Sequence, residues 1–310
     1  MAGKPPLKGA LEAATLLIVA GKGGVGKSTI STATAIAAAG IGRRTALVGL
    51  SHSRAAAAVL RAMGEEDPVL AAIAPRLRIF ELRPEEILIE YLEDHGMASL
   101  GRRLISTGVV TVISTAIPGI RELLVLAKLK QMERSGEFDS IILDAPASGH
   151  LLTFLSSPKG LADIANVGLL RTQSDEVQAL LSDPSRSQLI LVTLAEETPV
   201  SETSQTYTEI ESLGVISLGP IVANALQAPI GISQHSRDTL SELGEADDRL
   251  DAYRFVSTKA HLQLENLAEL RRALPNCHLA RVPFVYATGL GVSELARLAE
   301  HLLSEASDDN

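Results

Sequence analysis

Leu16-Leu-Ile-Val-Ala-Gly-Lys-Gly-Gly-Val-Gly-Lys-Ser-Thr29, LLIVAGKGGVGKST, decides the fold. Its first five residues are an apolar run closed by glycine and read as a buried strand. From Lys27 to Ala39 the chain is rich in Ala, Ile and Thr and reads as a helix. Between them Gly21-x-x-x-x-Gly26-Lys27-Ser28 satisfies G-x-x-x-x-G-K-[ST], in the strand–loop–helix context that the motif requires. The chemistry follows from residue types. Gly23, Gly24, Val25 and Gly26 let backbone amides converge on phosphate oxygens, and the helix that opens with Lys27, Ser28 and Thr29 offers its positive end. Lys27 suits the terminal phosphates and the Ser28 hydroxyl suits Mg²⁺. Lys22 is one lysine more than such a loop needs; taken alone it is a solvent-facing cation.

Working outward, RTALVGL (44–50), LRIFEL (77–82), FDSIILDAP (138–146), QLILVTL (188–194), GVISLGPIVANAL (214–226) and HLARVPF (278–284) each hold a short apolar run of strand length. GVSELARLAEHLL (291–303) places its apolar residues on one helical face. Strands alternating with helices predict an α/β fold, a doubly wound, mostly parallel sheet with sites at the strands' carboxyl ends. Two stretches, about 84–135 and 150–185, are helical in pattern and form an inserted helical region around FDSIILDAP. One domain is expected over 15–304, with a loose lead-in over 1–14 and an acidic tail over 305–310. GEADDRLDAYRF (244–255) reads as a solvated loop or short helix. Asp144 follows the apolar run SIIL at a strand end, where a Mg²⁺-bound triphosphate needs a carboxylate.

Composition narrows the class. The chain has 310 residues, 46% apolar and 21% charged, enough for a large core. Net charge is −9, with Lys and Arg in ones and twos, so no basic footprint for nucleic acid is expected. LISTGVVTVISTAIPGI (104–120) is uncharged, but it is 17 residues long with two Gly, a Pro and five Ser or Thr, and no stable membrane insertion is expected. A single cysteine and no leader pattern near Met1 point to a cytoplasmic protein.

With GKGGVGKST (21–29) and DAPASGH (144–150) both in hand, the chain resembles the ATPases grouped with the arsenite-pump ATPase ArsA and the eukaryotic tail-anchored-protein targeting ATPase. These belong to the deviant Walker A class with MinD, ParA and the nitrogenase iron protein. The resemblance runs from Leu16 to about Leu303 and includes SHS (51–53), PGIREL (118–123), EETPVSET (196–203), Asn224 and VPF (282–284). It implies a dimeric ATPase using ATP and Mg²⁺, with Lys22, Lys27 and Asp144 catalytic. Lys22 would reach across the dimer to the partner's nucleotide. Ser28 and Asp144 would hold the metal, and Asn224, Pro283 and Phe284 would contact adenine. The helical region would be the place for an apolar helical client.

The departures matter as much. The family carries Asp-Pro-Ala-His-Ser after the second strand, and its aspartate orients the attacking water; here Gly49-Leu50-Ser51-His52-Ser53 stands in its place. Loss of such a group removes roughly two orders of magnitude of rate. Cys277 alone cannot build a zinc-linked dimer or a thiolate arsenite site. Two readings therefore stand side by side: an ATP-hydrolysing dimeric switch, and a hydrolysis-impaired subunit of a heterodimer with an active paralogue. A MinD- or ParA-like positioning ATPase fits less well, because the chain ends EASDDN where an anionic membrane surface asks for basic residues.

Overall fold

The computed structural model describes residues 6–50, 56–57, 59, 72–94, 119–165, 167–228 and 248–304. The expected readings of His52, Ser53 and the acidic tail, and most of the 104–120 segment, lie outside them.

Seven strands form one sheet: β1 (Leu16–Gly21), β2 (Thr45–Gly49), β3 (Leu77–Glu81), β4 (Ser140–Ala147), β5 (Ser187–Leu194), β6 (Ser217–Leu226) and β7 (Leu279–Pro283). Their order is β3-β2-β4-β1-β5-β6-β7, and every pairing is parallel. Each predicted strand is present within one to three residues. A parallel sheet covered on both faces needs apolar residues at both strand parities, and β1 is buried throughout. Leu16 and Ile18 face one core with Ile141, Leu143, Leu189 and Leu191. Leu17 and Val19 face the other with Leu47, Ile142, Ile190 and Val222.

The second core is closed by α1 (Pro6–Ala13), α2 (Lys27–Gly40) and α9 (Val292–Ser304). The first is closed by α4 (Ile120–Arg134), α5 (Ser148–Ile164), α6 (Leu169–Ser182), α7 (Glu197–Leu213) and α8 (Asp248–Ala273), with α3 (Pro84–Asp94) beside α4. Gly119, at φ 85°, starts α4.

Two expectations need correction. The lead-in is not loose from Pro6 onward: Leu7, Ala10, Leu11 and Ala14 recur at helical spacing, and Leu7 and Leu11 are fully buried. Residues 248–255 are not a solvated loop or short helix but the opening of the 26-residue α8, whose Leu267 and Leu270 are core residues. That helix is anchored near its far end, so its charged start gave no apolar signal.

Candidate functional site

Strand β1 delivers the glycine loop to the middle of the carboxyl edge of the sheet. The turn is tight because Gly21 lies against β5: a Cβ there would sit 2.2 Å from the Val192 carbonyl oxygen. At the loop's other end Gly26 caps α2 at φ 91°, and no side chain caps the helix. The first-turn amides of α2 are thereby left for an external acceptor. A Cβ built on Gly23 or Gly24 meets nothing within 4 Å, so this side of the loop opens onto space.

Register places the other candidate residues. Asp144 pairs with Val19 of β1 on one side and with Gly49 of β2 on the other. Its carboxylate lies in the field of Lys27, with the Ser28 and Ser31 hydroxyls favouring its charged form, yet burial outweighs them and raises its pKa; the Ser31 hydroxyl itself donates to the Lys27 and Ser28 carbonyls at 3.0 and 3.2 Å. Burial also lowers Lys27, against the pull of Asp144, and its Nζ donates to the Lys22 carbonyl at 3.0 Å. For both groups the cost of burial exceeds what the opposite charge returns. Among the described residues no three His, Cys, Asp or Glu side chains gather as a metal cage.

Lys22 points elsewhere. Its Nζ donates to Glu202 Oε1 of α7 at 2.5 Å, and the side chains are 53% and 35% exposed. Glu202 belongs to EETPVSET, which the sequence offered only as a family landmark; neither its place beside the loop nor its pairing with Lys22 was legible. Asn224 lies two residues before the end of β6, opposite Leu194 of β5, and its Nδ2 donates to the Val25 carbonyl at 2.9 Å. Pro283 pairs with Leu226, and the Phe284 amide donates to the Leu226 carbonyl at 2.8 Å. Exposed Phe284 and Tyr286 meet edge to face at 4.9 Å, and the Tyr286 hydroxyl donates to Gln227. Gly49, Asp144, the loop, Asn224 and Pro283 thus share one edge. Tyr286 and Gln263 of α8, each hydrogen-bonded to Gln227, lie beside it and carry no sequence signal that could have found them.

The helical layer holds a second feature, a cavity of about 690 Å³ between α3, α4 and α6 with Ile87, Leu88, Leu123, Leu124 and Leu170 in its walls. Lys130, 5% exposed, closes one side through Gln173 and Glu176, each at 2.5 Å. Cys277 is half-buried against the first core, and burial raises its thiol pKa. Among the described residues no helix is long and apolar enough to cross a membrane.

The sequence profile of the anion-transporting ATPases matches residues 14–173. The chain is 29% identical over 225 residues to the ATPase BagA of Mycobacterium tuberculosis, covering 69% of this chain and 66% of that one. It is 28% identical over 251 residues to an arsenical pump-driving ATPase of Escherichia coli, covering 73% and 41%. With the ATPase GET3 of Pyricularia oryzae identity is 24% over 342 aligned positions, covering 97% and 94%. The match thus spans just under two thirds of the mycobacterial relative and less than half of the pump-driving one.

Proposed function

The chain belongs to the anion-transporting, ArsA-like ATPase family, and from that premise we propose that it binds ATP with Mg²⁺ and hydrolyses it as a dimeric switch. The observation that carries this reading is the Lys27–Asp144 pair beside the glycine loop, two charges desolvated by the fold beyond what each other, the Lys22 carbonyl and the nearby Ser28 and Ser31 hydroxyls return. An anionic phosphate beside Lys27 and a divalent cation beside Asp144 relieve both costs at once. The donor set fits: Ser28 and Asp144 supply two oxygens, which suits a cation that takes its remaining ligands from phosphate and water. Bound Mg²⁺ would neutralise charge developing on the transferred phosphoryl group. Lys27 would hold the terminal phosphates, the α2 amides would cradle them, and Asn224, Pro283 and Phe284 would border the base.

Lys22 takes the trans role in this reading. Its side chain is exposed and paired with Glu202, while Lys27 occupies the phosphate side of the loop. A cation delivered by a second subunit makes charge stabilisation depend on assembly, as an arginine finger does. The test is complementation. Lys22→Ala spares its own loop and Lys27→Ala spares its own Lys22, so mixing two nearly inactive variants rebuilds one complete site per heterodimer. Hydrolysis in the mixture should rise at least tenfold above either variant alone. A mixture no more active than the sum of its parts would remove the trans role.

Gly49 favours a second reading. It stands in register between Asp144 and Glu81 and offers no side chain to orient water. A hydrolysis-impaired subunit awaiting an active paralogue would bind ATP tightly, dimerise weakly with itself and turn over slowly. Light scattering with and without ATP and Mg²⁺, paired with a turnover assay, separates the two. The partner expectation extends to a client only through the groove between α3, α4 and α6, whose walls suit an apolar segment.

A further inference from the structure

The end of β6 is built with more constraint than a base contact requires. Asn224 spends its amide inside the chain: Nδ2 donates to the Val25 carbonyl at 2.9 Å, and Oδ1 accepts from the Ala225 amide at 2.9 Å. The two partners, an acceptor and a donor, fix which end of the amide is which. Ala225 lies at φ 59°, the only non-glycine at positive φ among the described residues. That strain persists because the neighbourhood over-determines it. Gln263 of α8, 4% exposed, accepts from the Gln227 amide at 2.8 Å and donates to the Ala225 carbonyl at 3.1 Å. From the loop side, a Cβ on Gly26 would come within 2.2 Å of Asn224 Nδ2, so the amide lies directly on the loop backbone.

We propose that Asn224 is a positioning residue for the phosphate loop, tying the Val25 carbonyl to the clamped end of β6 so that the loop is held in phosphate-binding form before any nucleotide arrives. The proposal rests on the nucleotide-binding reading above and adds to it. A side-chain amide has two donors and an acceptor with two lone pairs. One N–H and one lone pair are committed to the chain, which leaves one of each to meet a base. A single residue therefore couples base contact to loop geometry.

The test uses the full chain. Amide hydrogen exchange is followed in the ligand-free protein, and binding of ATP, ITP and inorganic tripolyphosphate is measured for wild type, Asn224→Ala and the near-isosteric Asn224→Asp. Loop amides 22–29 should exchange at least tenfold faster in both variants while β1 and β5 stay protected. Affinity should fall about tenfold or more for every polyphosphate the wild type binds, whether or not it carries adenine. Unchanged loop exchange with a loss confined to ATP would make Asn224 a base contact only and overturn the proposal. If Asn224→Ala loses protection globally, Gln263→Ala decides: it should loosen residues 22–29 selectively, and loop exchange at the wild-type rate would overturn the proposal. If the wild type binds none of the three ligands while the variants still show the selective loop loosening, the nucleotide reading sinks and the brace stands.

Discussion

Asp139 and Asp144 stand five residues apart, one just ahead of β4 and the other near its carboxyl end, and their surroundings push them in opposite directions. Asp139 accepts from the Arg44 amide at 2.9 Å and from its guanidinium at 3.0 and 2.6 Å. These bonds hold its carboxyl at about 2. The same edge is laced by Arg43 to Ser140 at 2.5 Å and by the bidentate Arg186–Glu133 pair at 2.8 and 2.9 Å. At the other end burial raises Asp144, Ala225 is strained, and α2 begins without a side-chain cap. One edge of the sheet pairs its charges internally; the other leaves charges and amides in need of an external partner. Stability and function are thus separated along the length of a single strand.

The sharpest way to break this contrast is at the carboxyl edge. Lys27→Ala removes the only loop cation on the phosphate side and should lower hydrolysis by roughly 10²–10³-fold. Asp144→Asn should lower it comparably, but with a second signature. The raised Asp144 pKa means that the folded state disfavours the carboxylate at neutral pH, so the neutral amide should raise the Tm of the ligand-free protein. The Tm gap should shrink on acidification as the wild-type carboxyl takes up its proton. Calorimetry between pH 4 and 8 reads it. A Tm that falls in Asp144→Asn at neutral pH would mean that this carboxylate supports the fold, and the contrast with Asp139 would fail.

Gly26→Ala comes next in size. The new methyl would strike Asn224 Nδ2 at 2.2 Å and place a side chain at φ 91°. The strain should cost roughly 1–3 kcal/mol. Either the fold or the loop absorbs it, so the expected outcome is a lower denaturation midpoint together with weaker ATP binding, measured by denaturant titration and calorimetric binding. Ala at Gly23, which meets nothing within 4 Å in this conformation, is the control and should leave stability nearly unchanged.

How much of this was readable beforehand follows the same division. The strands were legible because each is a short apolar run, and Asp144 because it ends one. The loop was legible because a tight turn between a buried strand and a helix restricts the residue types that can form it. Asn224 was readable as a residue type, but its bond to Val25 joins positions 199 apart and depends on how β6 lies beside the loop. Gln263 and Tyr286 act through tertiary placement alone, and a lone Gln or Tyr carries no periodicity. The helix at Pro6–Ala13 was missed for a different reason: two short turns with Leu7 and Leu11 give a weak pattern until a sheet supplies the surface they bury against. Glu202 was visible in EETPVSET, yet an exposed pair with Lys22 leaves no mark in spacing.

The smallest expected effect tests the other half of the contrast. Asp139→Asn keeps the shape of the side chain and its hydrogen bond to the Arg44 amide but removes the charge that faces the guanidinium. The Arg44 and Asp139 side chains are 55% and 38% exposed, so solvent and salt screen the pair and its worth is modest. The Tm should fall by about 2–4 °C at neutral pH, with nucleotide affinity unchanged because Asp139 stands at the opposite end of β4 from the loop. The pH dependence distinguishes this from a packing defect. Folding lowers the carboxyl from 3.8 to about 2, so the wild type holds its full advantage above the unfolded value and loses it as pH falls through the folded one. The Tm difference should be constant above about pH 5 and close between about pH 4 and pH 2. A difference that persists at pH 2 would assign the loss to shape or hydrogen bonding, and the amino edge would no longer be the electrostatic counterpart of the site.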